Sequence, residues 1–160
     1  MRLLYDQDDV VARWYSQETD SPFVPAHAAL GILDGEEIVG AIMLQVRNPY
    51  TCSLDVYNFA KPPLGLYRQM FEWAFNFCYR LEVTTGRDNK KMKKQLPRIG
   101  FTYECVVKHR YGKGVHGVQY YMTRDDCRWL NGRIERRQHA DSTEGANKEL
   151  HHADQSGHPG

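Results

Sequence analysis

The residues Asn89 to Phe101, NKKMKKQLPRIGF, set four lysines within five positions ahead of a proline and an apolar Ile-Gly-Phe. Clustered ammonium groups can hold phosphates, and they can equally form a solvated helix face. Upstream, Tyr57-Asn-Phe-Ala-Lys-Pro-Pro-Leu-Gly65 joins a strand-like run to a helix-like one. The carboxyl end of a strand beside a helix N-terminus offers unpaired N–H groups and the positive end of the helix dipole, a second place for an anion. The charge distribution agrees. Residues 1–79 hold five Arg/Lys against ten Asp/Glu, a net of −5, whereas residues 80–113 hold ten against three, a net of +7, within a chain of net charge +1. The basic segment therefore faces an anionic partner or solvent.

Other reactive residue types are less well placed. Cys52, Cys78, Cys105 and Cys127 are irregularly spaced and form no C-x-x-C ligand pair, so they read as buried reduced thiols with no metal. Four of the seven histidines fall after Asn131-Gly132, where large apolar residues nearly vanish. Such a segment cannot bury enough surface to offset the entropy of ordering it, and it reads as a disordered hydrophilic tail over 132–160. No apolar window reaches the roughly 18 residues of a membrane span, and acids follow MRLLY at the N-terminus, which together read as cytoplasmic.

The elements that must position these groups form one domain, residues 1–131, with 41 % hydrophobic and 12 % aromatic residues over the chain. Asp8-Asp9 start a short helix bearing Val10, Val11, Trp14 and Tyr15. Ala28–Leu33 and Glu37–Val46 flank Asp34-Gly35 as a hairpin, and Thr51–Phe59 is a third strand. Leu66–Tyr79 repeats its apolar residues at three and four, which predicts an amphipathic helix packed on a sheet. Arg80–Thr85 is the next strand, giving a right-handed parallel crossover. Asn89–Ile99 is a helix capped by Asn89. Phe101–Arg110, with Phe101, Tyr103, Cys105 and Val107 on one face, and Val115–Met122 close the sheet as a hairpin. The fold class is α/β (α+β): a mixed, mostly antiparallel sheet with one parallel β-α-β crossover and flanking helices.

These residues resemble the GNAT superfamily of acyl-coenzyme A N-acyltransferases, in particular small phage and prophage-type members. The likeness runs through Val39-Gly-Ala-Ile-Met43, the Leu54–Ala60 strand, Leu66-Tyr-Arg-Gln-Met-Phe-Glu-Trp-Ala-Phe75, Arg80-Leu-Glu-Val83, Asn89, Gly100-Phe101, Val107–His116, Tyr121-Met-Thr-Arg124 and Cys127-Arg-Trp-Leu130. It implies direct transfer of an acyl group, most simply from acetyl-coenzyme A, to a primary amine. It also implies that Asn89 hydrogen-bonds the pantetheine arm, and it gives the lysines, Lys93 among them, a use at the cofactor's phosphates. The cofactor loop would engage Tyr57, Phe59, Lys61, Leu64, Gly65, Leu66 and Arg68. Asp55 is the family-analogous base and Glu104 the second choice. Tyr103, Tyr120 and His116 are candidates for protonating the thiolate.

Two positions depart from the family pattern. The Gly-rich pyrophosphate loop is replaced by Lys61-Pro-Pro-Leu-Gly65, whose prolines have no N–H to give, and the tyrosine expected four residues before Gly-Phe is Leu96. Two other functions fit the same scaffold. One is nucleic-acid binding or base modification, with Tyr79, Phe101, Tyr103 and Tyr111 stacking on bases beside the basic segment 80–113. The other is a non-catalytic protein-binding module. A homodimer is compatible with either.

Overall fold

The computed structural model describes residues 1–23, 25–58 and 62–132; the tail expected from 132 onward, Phe59 and Lys61 lie outside that range save Gly132. Among the described residues the elements are β1 (Arg2–Leu4), α1 (Asp8–Glu18), β2 (Ala28–Asp34), β3 (Glu37–Asn48), β4 (Thr51–Tyr57), α2 (Leu64–Ala74), β5 (Arg80–Gly86), α3 (Lys90–Ile99), β6 (Thr102–Val107) and β7 (Gly117–Thr123). They build one seven-stranded sheet in the order β1-β2-β3-β4-β5-β7-β6. Every neighbouring pair is antiparallel except β4–β5.

Alternation along the strands sorts side chains to two faces. Leu30, Ile32, Ile42, Leu44, Cys52, Leu54, Leu81, Val83, Val118, Tyr120 and Met122 meet α2 and α3 in the main core. Ala29, Ala41 and Met43 meet Val11 and Ala12 of α1 on the opposite face. A Cβ at Gly31 would lie 3.1 Å from the Val11 side chain, so glycine there lets α1 sit close on the sheet. Helix α1 packs on β2 and β3 and reaches Tyr57 of β4 through Trp14 and Tyr15, and among the described residues no helix covers β5, β7 and β6 on that side.

The crossover is as the periodicity predicts, with shifted ends. Helix α2 stops at Ala74, not Tyr79, because the chain must turn into β5: the N–H groups of Tyr79 and Arg80 both donate to the Tyr50 carbonyl. Helix α3 is capped by Asn89, whose Oδ1 accepts from the Met92 N–H at 3.1 Å. It exits through Gly100 at φ 121°, where the N–H groups of Gly100 and Phe101 both return to the Leu96 carbonyl. After β7, the turn 124–130 folds back under the helices. Trp129 is buried, stacks on Tyr67 with ring centroids 4.5 Å apart, and donates from Nε1 to the Ile99 carbonyl at 2.7 Å.

The last hairpin corrects two expectations. Strand β6 ends at Val107, and among the described residues it is the outer edge of the sheet, so Tyr103 and Cys105 are exposed rather than core. Its pairing with β7 slips between Tyr103 and Cys105, leaving a bulge at Glu104. Cys52, Cys78 and Cys127 are buried free thiols as expected, but Cys105 is exposed. Burial, then hydrogen bonding with Cys52, pushes the Cys78 thiol up to about 12, so it is inert as a nucleophile near neutrality.

Candidate active site

Strands β4 and β5 are hydrogen-bonded only at Thr51–Arg80, Cys52–Leu81 and Ser53–Glu82. Beyond Ser53 they diverge, so Leu54, Asp55, Val56 and Tyr57 on one side and Val83, Thr84 and Thr85 on the other bound an opening in the middle of the sheet. The two faces of that opening differ in chemistry.

On the α2–α3 face, an apolar cavity of about 40 Å³ is lined by Leu54 and Val56 of β4, Val83 of β5, and Met92, Gln95, Leu96 and Ile99 of α3, among others. Outside it lies a groove of about 900 Å³ walled by Pro62, Leu64 and Tyr67 at the start of α2, Lys91, Lys94, Gln95, Arg98 and Ile99 on α3, and Arg128 and Trp129 from the last turn. Gln95 and Ile99 line both, so the groove adjoins the apolar cavity and through it the strand opening. Lys91, Lys94 and Arg98 recur at i, i+3 and i+7, which places them on one face of α3.

This groove fits an anion. Among the described residues four cationic side chains line it and no Asp or Glu does. The Arg128 side chain lies over the Trp129 ring at 4.9 Å and donates from Nη2 to the Arg98 carbonyl, while its buried Nε has no partner among the described residues. An orphaned buried N–H of a guanidinium is costly unless an acceptor reaches it. Helix α2 begins at Leu64, and the Pro63 before it supplies no side-chain cap. The Leu66 N–H donates to the Pro63 carbonyl at 2.8 Å, so Leu64 and Gly65 supply the remaining early donors of that turn.

The opposite face carries a carboxylate among aromatic rings. Asp55 pairs in register with Met43, and Tyr57 with Ala41, both beneath α1. The Tyr57 ring meets Trp14 edge-on at 5.8 Å and Tyr15 at 6.2 Å. From the β6–β7 loop the Tyr111 hydroxyl donates to the Thr84 carbonyl at 3.0 Å, beside the opening. Burial, then the Asp55 charge, pushes the Tyr15 hydroxyl up. Burial also raises the Tyr111 hydroxyl; Arg110 opposes it and Asp55 adds to it. Asp55 shares its strand face with Tyr57, and the raised Tyr15 and Tyr111 hydroxyls stay protonated at neutral pH.

The loop that brings Tyr111 in is tied by two imidazoles. His116 Nδ1 accepts from the His109 N–H at 3.0 Å and His109 Nδ1 from the Gly114 N–H at 2.8 Å. His116 is occupied in this turn rather than placed in the opening.

The remaining sequence-derived residues fall elsewhere. Lys93 does not line the groove; its Nζ donates to the Arg87 carbonyl at 3.1 Å. Arg68 pairs with Glu72 at 2.8 Å, one turn along α2. Leu66 is in the core and Tyr57 is on the ring-lined face. Leu96 is buried and Asn89 spends its Oδ1 on the α3 cap. Tyr103 and Glu104 are on β6, separated from β5 by β7. Tyr103 sits edge-on to the buried Tyr120 at 5.8 Å. Tyr79, Phe101, Tyr103 and Tyr111 do not share a surface: Phe101 is in the core, Tyr79 bonds Asp125, and Tyr111 bonds Thr84.

Glu104 belongs to an ion-pair ladder on the open face. Arg80 donates to Glu82 at 3.0 Å and to Glu104 at 2.5 Å, and Gln119 donates to Glu104 at 3.0 Å. The Gln119 hydrogen bond holds the Glu104 carboxyl below its ordinary range; burial opposes this, and Arg80 adds to the lowering. A carboxylate with a depressed folded value stabilises the fold above its ordinary range near 4.5 and loses that contribution as pH falls through the folded value. Glu104→Gln is therefore expected to lower stability by no more than about 1 kcal/mol at pH 7 and to flatten the stability–pH curve below 4.5, measured by urea titration at several pH values.

Among the described residues no helix is long and apolar enough to cross a membrane. No family model and no curated protein matches the chain. Solved structures do match. One is a GNAT family acetyltransferase from Elizabethkingia anophelis with acetyl-CoA bound, at TM-score 0.53 and 16 % identity over 72 % of this chain and 85 % of that one. A second is a GCN5-related N-acetyltransferase from Brucella melitensis, at TM-score 0.57 and 12 % identity over 77 % of this chain and 62 % of that one. A third is the aminoglycoside 6′-N-acetyltransferase of Enterococcus faecium, at TM-score 0.57 and 10 % identity over 77 % and 97 %. The chain spans less than two thirds of some of these proteins, 63 % in one acetyltransferase and 62 % in the Brucella protein. At such identities the likeness is one of fold, and that fold is the GNAT fold.

Proposed function

With the GNAT fold as premise, we propose that this chain is an acyl-coenzyme A dependent N-acyltransferase, using acetyl-coenzyme A most simply, that acylates a primary amine by direct transfer. The observation that carries the reading is the continuity from a four-cation groove, past Gln95 and Ile99, to an apolar cavity at the β4–β5 opening, with Asp55 on the far face. A neighbour of the same fold binds acetyl-CoA and another acts on an aminoglycoside, which supports the same class of chemistry here.

In this reading Lys91, Lys94, Arg98 and Arg128 hold the phosphates, with the Leu64 and Gly65 N–H groups adding donors where the two prolines supply none. Asn89 lies at the start of α3, where its free amide nitrogen serves the pantetheine arm. The cosubstrate supplies the acyl thioester. Asp55 binds the acceptor ammonium and takes its first proton, directly or through water. The amine nitrogen then bonds to the thioester carbon, the carbon–sulfur bond breaks, and the second nitrogen proton ends on the departing thiolate. Backbone N–H groups freed where β4 leaves β5 polarise the carbonyl. Glu104, held by Arg80, and Tyr103, on the edge strand, have no part in these steps.

Calorimetric titration with acetyl-coenzyme A tests this. Saturable binding is expected, weakened at least tenfold in Lys91→Ala/Lys94→Ala and more sensitive to salt in the parent than in the variant, since exposed charges are screened beyond about 10 Å at 0.1 M. Absence of binding by the parent protein would overturn the reading.

A further inference from the structure

The ring-lined face of the opening restricts what amine it can take. Trp14 and Tyr15 of α1 meet the Tyr57 ring of β4, which lies two residues from Asp55 and so shares its strand face, and Tyr111 of the β6–β7 loop bonds Thr84 beside the opening. Tyr111 is half-exposed and its hydroxyl is anchored on Thr84, so its ring stands as a wall beside the opening. The other carboxylates on this side of β5 and β6, Glu82 and Glu104, are both engaged by the single guanidinium of Arg80. Arg80 itself lies over the Tyr121 ring at 4.3 Å, which holds the ladder against the sheet. Among the described residues Asp55 has no ion-pair partner.

Resting on the acyltransferase reading, we propose that the acceptor is a small amine bearing one positive charge on a flat apolar body, of the arylalkylamine type, rather than a polyamine or an aminoglycoside. Aromatic faces attract an ammonium and bury an apolar body, while one carboxylate neutralises one charge. A second ammonium would be stripped of water against the rings, while Glu82 and Glu104 are already engaged by Arg80, which is unfavourable. The transfer follows the steps given above: one proton leaves the ammonium for Asp55 or water, the carbon–nitrogen bond forms as the carbon–sulfur bond breaks, and the second proton leaves with the thiol.

The test compares phenethylamine and tryptamine with spermidine, kanamycin and a lysine-containing peptide as acceptors, reading thiol release from acetyl-coenzyme A. The arylalkylamines are expected to give kcat/KM at least tenfold above the others. Tyr57→Leu and Trp14→Ala should raise their KM about tenfold, with acetyl-coenzyme A affinity, measured on the same samples, showing the variants folded. Higher kcat/KM for spermidine, kanamycin or the peptide would overturn the proposal and leave the acyltransferase reading standing, and so would thiol release with none of the arylalkylamines. Direct titration of tryptamine and spermidine without acetyl-coenzyme A separates the two ideas: tighter tryptamine binding supports the ring site even if the thioester is not bound, and tighter spermidine binding overturns it.

Discussion

Asp55→Asn is expected to reduce kcat/KM for the acceptor amine by a factor of about 10² to 10³, with the acetyl-coenzyme A dissociation constant unchanged. Asparagine keeps the shape and the position beside Tyr57 but neither pairs with an ammonium nor takes its proton, and general-base contributions of this size are ordinary. In free energy this is roughly 3–4 kcal/mol of lost transition-state stabilisation, at 1.4 kcal/mol per tenfold. Steady-state kinetics at saturating thioester, beside calorimetry, separates the two effects. Raising pH should partly restore the variant, because more of the amine is then neutral without help. A larger loss in Glu104→Gln than in Asp55→Asn would move the base to the edge strand and sink the assignment.

The second large effect is on stability. Trp129 is buried, stacked on Tyr67 and bonded to the Ile99 carbonyl, although it lies beyond the last strand. Trp129→Ala should cost about 3–5 kcal/mol, seen as a fall in the urea midpoint at constant slope, because a large aromatic is removed from a site that cannot collapse. Trp129→Phe should cost less: it keeps the stack but leaves the Ile99 carbonyl unpaired, a loss on the order of 1–3 kcal/mol. A change below about 1 kcal/mol for the alanine variant would mean that the turn 124–130 is not part of the core. Because Trp129 and Arg128 also wall the cationic groove, acetyl-coenzyme A affinity should fall in parallel.

Much of this was legible from local pattern. The helix over Leu66 onward, the strand at Arg80 and the Asn89 cap follow from apolar spacing and capping chemistry, and the structure keeps them with ends moved by a few residues. Alternation failed at Tyr103 and Cys105, because a period of two says which residues share a face and nothing about whether that face is covered. Lys93 was chosen from a run of lysines, yet the spacing of Lys91, Lys94 and Arg98 already marked a separate face of α3. The meeting of Trp14 and Tyr15 with Tyr57, and of Tyr111 with Thr84, joins distant segments, and only the assembled sheet brings them together.

The slip in pairing at Glu104 matters when many copies of the chain meet. An outer strand with free N–H and C=O groups invites another strand to add, and Tyr103 and Val106 would give such a contact an apolar lining. The bulge breaks the regular row of donors and acceptors at its centre, and a charge sits at the break. A neighbour arriving edge-on could align with only half of β6, so the same irregularity that seats Glu104 against Arg80 also keeps the sheet finite in a crowded solution.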